Sequence, residues 1–142
     1  MLNLFSKNKN NKLDEDILYI KTAALLIHAA KIDENYSHVE KNIIKKALID
    51  FGIDKKKIDD VFNKAEIEEA NSNQILEFTK KVKDSKESFK IKIVETLWNI
   101  IYSDGKSDMY ESNFMRRITG LLYLDNKIVG DVKQKVRNKY NK

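Results

Sequence analysis

The chain has 142 residues, which suits one domain with a real core, and it carries no cysteine, two histidines, no proline and four glycines. Without thiols, disulfides, thiolate metal centres and a cysteine nucleophile are excluded, and two histidines are too few for a multi-histidine metal site. The net charge of +5, with 35% charged residues, is scattered over both signs, unlike the concentrated basic face that a nucleic-acid binder presents.

No stretch approaches the roughly 18 consecutive apolar residues of a membrane span, so direct membrane insertion is not expected. Residues 1–12 are polar and Asn/Lys-rich after Leu2, Leu4 and Phe5. They lack the apolar segment of a secretory signal and read as a flexible N-terminal arm of a cytoplasmic protein. Residues 13–142 then form a single helical domain.

The helical period dominates from there on. Asp14 can cap a first helix running to about Lys31, with Ile17, Ile20, Ala24, Ile27 and His28 at helical spacing and Leu18, Leu25, Leu26 and Ala29 on a second apolar face. A helix apolar on two sides belongs in the middle of a bundle. A second helix follows Ser37 and stops before Gly52, a C′ glycine. A third follows Asp54, carries Ile58, Val61, Phe62 and Ala65, and is broken by Asn71, Ser72 and Asn73. A short fourth carries Ile75, Leu76, Phe78, Thr79 and Val82. The fifth, after Ser85, is densely apolar from Phe89 to Ile101 and should also be central; a sixth follows Asp108 and a seventh Asp125. The fold class is therefore all-α, with about seven helices.

Two stretches align without a gap. Asp33-Glu34-Asn35-Tyr36-Ser37-His38-Val39-Glu40 is answered 71 positions later by Asp104-Gly105-Lys106-Ser107-Asp108-Met109-Tyr110-Glu111. At the same offset Asn42-Ile43-Ile44-Lys45-Lys46 meets Asn113-Phe114-Met115-Arg116-Arg117, and Asp54, Asp60 and Val61 meet Asp125, Asp131 and Val132. A fixed offset points to repeated structure: two three-helix units, about 14–71 and 85–141, joined by the fourth helix and related by a pseudo-two-fold axis that sets the first and fifth helices side by side.

The repeated acidic turn has two readings. As helix capping, Ser37 with Glu40 and Asp108 with Glu111 form capping boxes, and Asp54 and Asp125 cap the helices that follow them. This accounts for most of the pattern. As a hard-cation site, Asp33, Glu40, Asp104, Asp108 and Glu111 offer the oxygen ligands that calcium or magnesium takes, although the acid-to-acid span is too short for an EF-hand. His28 reads as a core or interface residue, His38 as exposed, and Trp98 as core.

The run Val94-Glu95-Thr96-Leu97-Trp98, then Tyr102-Ser103-Asp104-Gly105-Lys106, Tyr110-Glu111 and Arg116-Arg117, resembles the tellurite-resistance TerB-like family, as does the stretch from Leu25 to Leu48 with its Asp33 and Glu40. The likeness extends over roughly Asp14 to Lys135 and is nearest to stand-alone bacterial TerB-like proteins; related domains sit beside a J-domain in a membrane-anchored co-chaperone. It implies a cytoplasmic, non-enzymatic module linked to tellurite and stress resistance. It also implies a divalent cation at the acidic turns and a membrane-associated protein partner; a homodimer is a separate expectation. The first turn departs from the pattern, with Glu34 where the second has Gly105, so the second is the better ion-site candidate.

Overall fold

The computed structural model describes residues 2–32, 36–72, 74–103 and 109–140, and among these the side chains of all but 2–14 and 109–112. Seven α-helices occupy the described residues, without a strand: α1 (Leu2–Ile32), α2 (His38–Asp50), α3 (Ile58–Asn71), α4 (Leu76–Val82), α5 (Glu87–Tyr102), α6 (Met109–Leu121) and α7 (Asn126–Tyr140). The all-α expectation holds.

The apolar runs place α1 and α5 at the centre. Ala23 to Ile27 of α1 are wholly buried, as are Ile93 and Leu97 of α5. α1 packs on α2, α3, α4, α5 and α6, while α5 packs on α1, α2 and α7. Burial of this kind is worth roughly 1.5–3 kcal/mol per large aliphatic side chain, and it is the main stabiliser of the bundle. The α3 face read from the sequence, Ile58, Val61, Phe62 and Ala65, is buried against α1.

Three helix starts differ from the sequence reading. α1 does not begin after Asp14: it is helical from Leu2, so the segment expected to be an arm lies within it from that residue on. Residues 2–14 hold no glycine or proline, and nothing in the backbone stops the helix there. Ile17, expected on the core face, is exposed, and among the described side chains of α1 the first buried one is Tyr19. α3 starts four residues after Asp54, whose Oδ1 accepts from Lys56 N–H at 3.1 Å and whose carbonyl accepts from Lys57 N–H at 2.8 Å. That local turn takes up Lys55–Lys57 before the helix begins. α5 starts at Glu87 rather than directly after Ser85, whose hydroxyl donates back to Val82 O at 2.6 Å.

The offset of 71 recurs in the backbone. α2 and α6 each have 13 residues, and their first residues, His38 and Met109, stand at that offset. α2 closes with Gly52 N–H donating to Ile49 O (3.0 Å) and Ile53 N–H to Leu48 O (3.2 Å). α6 closes with Tyr123 N–H donating to Gly120 O (3.2 Å) and Leu124 N–H to Thr119 O (3.0 Å). Asp54 and Asp125 follow these turns, and Asp125 Oδ1 accepts from Lys127 N–H at 2.9 Å as Asp54 Oδ1 does from Lys56. α2 packs on α5 as well as α1, and α6 packs on α1.

One buried charge ties these parts together. Lys90 of α5 is 9% exposed, and its ammonium donates to Leu122 O at 2.9 Å and Lys83 O at 3.4 Å. It thereby fastens the ends of α6 and α4 to the central helix. A buried ammonium needs such acceptors to offset its desolvation.

Candidate functional site: the acidic turns

Ser37 is the N-cap of α2, with extended backbone (φ −102°). Glu40, three residues on, is 7% exposed and folds back over the cap. Its Oε2 accepts from Ser37 N–H at 3.1 Å, and the Ser37 hydroxyl donates to the same oxygen. Ser37 and Glu40 thus form a capping box, and this carboxylate is engaged within its own turn. Asp33 and Glu34 lie outside the described residues, as do Asp104, Gly105 and Asp108; Glu111 lies in the first turn of α6, but its side chain is outside the described part. Of the five acids singled out as cation ligands, the described structure therefore places only the Glu40 carboxylate, and it places it on a cap. Among the described residues no group of three or more His, Cys, Asp or Glu side chains gathers to hold a metal ion.

Beside the first turn lies a polar cluster that the motif reading passed over. Tyr36 OH donates to Glu66 Oε2 at 3.2 Å, and Lys41 Nζ stands 3.7 Å from the same oxygen. The ammonium groups of Lys31 and Lys41 lie 5.6 and 4.9 Å from the centre of the Tyr36 ring, within cation–π range. Burial, then the Glu66 carboxylate it faces, push the Tyr36 phenol far above its ordinary range. Glu69, 8% exposed, receives Lys31 Nζ at 2.7 Å and faces His28 Nδ1 at 3.4 Å. His28 in turn packs between the rings of Phe78 and Phe114, in keeping with its reading as a core or interface residue.

This arrangement pins the end of α1 and the start of α2 onto α3. Two ammonium groups stand over the Tyr36 ring, directly before the cap, and among the described carboxylates beside it Glu40, Glu66 and Glu69 are each engaged. A signal for the cluster was available in the sequence: Glu69 follows Ile58, Val61, Phe62 and Ala65 at helical spacing, so it sits on the buried face of α3.

Seven helices among the described residues, with α1 and α5 at the centre, define an all-α module. Compared with known families, residues 19–134 match the family described as Tellurite resistance protein TerB. The chain belongs to that family. A search of curated proteins found no match. A search of solved structures found none either. Among the described residues no helix is long and apolar enough to cross a membrane.

Proposed function

We propose that the chain is a non-enzymatic binding module of the cytoplasm, linked through its family to tellurite and stress resistance. It binds a divalent cation, calcium or magnesium, at the second acidic turn, and it contacts a protein partner that is membrane-associated or a second copy of the chain. The two halves, matched at an offset of 71 residues, are copies of one unit. The observation that carries the cation assignment is the difference between the turns. Glu40 is engaged by Ser37, and the ammonium groups of Lys31 and Lys41 stand over the neighbouring Tyr36 ring. The second turn has Asp104, Asp108 and Glu111, with Ser107 in place of Tyr36 and Ser112 in place of Lys41. Its three carboxylates outnumber its one basic residue, Lys106, and a set of oxygen donors of that kind is what a hard cation requires.

The capping geometry of Glu40 favours a second reading, in which both turns are caps and the domain binds protein alone. Calcium titration followed by amide NMR separates the two. The cation reading expects shifts centred on Asp104 to Glu111 and none at Ser37 to Glu40. No perturbation at about millimolar calcium, the weak end of natural calcium sites, leaves the capping reading.

A further inference from the structure

The offset of 71 exposes an asymmetry between the two halves. In the first half α4 packs on α1 and α6, and Phe78 of α4 reaches the rings of His28, which also packs on Phe114. The counterparts of α1 and α6 are α5 and α2, and among the described residues no helix lies across that pair as α4 does. The counterparts of His28 and Phe114 are Asn99 and Ile43. Both line a cavity of 350 Å³ between α2, α5 and the end of α7. The opening thus lies where a second α4 would set its anchor.

The register of this correspondence is confirmed by the side chains around it. Glu69 meets His28 and Lys31 in the first half; Tyr140, its counterpart, meets their counterparts, donating to Asn99 O at 3.3 Å and packing on the Tyr102 ring at 6.5 Å. The floor of the cavity is Ala47, Phe51 and Thr96, and the Asn99 Oδ1 is buried without a hydrogen-bond partner among the described residues.

The charges at the rim differ in one telling respect. Lys21 and Glu68 form an ion pair of 2.9 Å in the first half. Their counterparts at the cavity are Lys92 and Lys139, both cationic and neither ion-paired among the described residues. Lys46 adds a third ammonium at the rim, against Asp50 and a Glu95 that faces Lys135. A site where one half sets a carboxylate and the other a second ammonium calls for an incoming carboxylate.

We propose that the groove between α2 and α5 is a docking site for an acidic amphipathic helix of a partner protein. That helix lies where the missing counterpart of α4 would lie, sets a bulky apolar side chain into the cavity and places a carboxylate between Lys92 and Lys139. The proposal deepens the binding-module reading and rests on it, but not on the cation. Its lining is more polar than that of the occupied side, with Thr96 and Asn99 where Leu25 and His28 stand, which suits a surface that is open until the partner arrives.

The probe is a helix-stapled peptide of residues 74–84 carrying Lys80→Glu, Lys81→Glu and Lys83→Glu, titrated into the full chain and followed by amide NMR. Shifts centred on Lys46, Thr96 and Asn99, saturating below about 1 mM, are expected. Phe78→Ala in the peptide should weaken it at least about tenfold by emptying the cavity. K92E/K139E in the chain should weaken the acidic peptide about tenfold and strengthen the unaltered lysine-bearing peptide; both side chains are exposed, and an unchanged melting temperature verifies the fold. Absence of groove shifts at that concentration overturns the proposal, as does indifference to K92E/K139E. Equal shifts from N-acetylphenylalanine alone overturn it too, by making the cavity a small-anion pocket. A calcium titration reads residues 104–111 separately, so loss of the groove leaves the cation reading standing and loss of the cation leaves the groove.

Discussion

Gly52 and Tyr123 hold the same left-handed post, 71 residues apart, one at φ +112° and the other at φ +56°. Each ends a 13-residue helix with the same two hydrogen bonds. The costs differ: glycine takes that conformation freely, whereas a tyrosine there pays for its Cβ. Gly52→Ala should lower stability by about 1–2 kcal/mol through its positive φ alone, since the added Cβ would meet the Tyr19 hydroxyl at an ordinary contact distance of 3.4 Å. Tyr123→Gly should raise stability by about 0.5–1 kcal/mol, because the Tyr123 side chain is 75% exposed and loses little packing. Thermal melts of the two variants read the opposite signs.

The two acidic turns should respond differently to alanine. Glu40→Ala removes the acceptor for Ser37 N–H and should cost about 1 kcal/mol without altering any calcium response. Asp108→Ala should cost a similar amount as a lost cap and, on the cation reading, also abolish the calcium-induced shifts. Urea midpoints paired with the calcium titration test both.

Lys90→Ala should be costly for a surface-type residue. It leaves the Leu122 and Lys83 carbonyls without their donor in a place that water reaches poorly. A loss of about 1–3 kcal/mol is expected in chemical denaturation. Amide exchange should accelerate first at the ends of α6 and α4.

Alkali should weaken the corner at Tyr36. In the unfolded chain the phenol ionises near its ordinary value of 10.0, while in the fold burial and Glu66 hold it protonated to higher pH. The stabilisation is complete below pH about 10 and is lost as pH climbs above that value, because the unfolded state releases a proton that the folded state retains. Denaturation midpoints should hold up to about pH 10 and fall above it, and Tyr36→Phe should flatten part of that fall. An identical slope in the variant would assign the loss to other groups.

The helices were legible because each has an unbroken apolar stripe and a breaker after it: Gly52, the Asn71-Ser72-Asn73 run, Asp125. The start of α1 was not, since Asp14 has the chemistry of a cap but no need to act as one when residues 2–13 are also helix-compatible. The burial of Glu69 is written in its helical spacing on the apolar face of α3, whereas that of Lys90 shows only once its partner Leu122, 32 residues away, is placed. Tyr123 gave no warning either, as its left-handed backbone is visible only beside Gly52. The open groove could be seen only once the halves were laid over one another in space.

The cross-packing of α2 on α5 and of α6 on α1 means that the halves are interleaved rather than set end to end. Neither can be cut away without stripping a wall from the other. A fragment ending at Asp84 would leave α1 bare along the faces that α5 and α6 cover, and should not fold. The intact chain should melt in one cooperative step, with calorimetric and van't Hoff enthalpies in agreement, and a protease should not release a stable half.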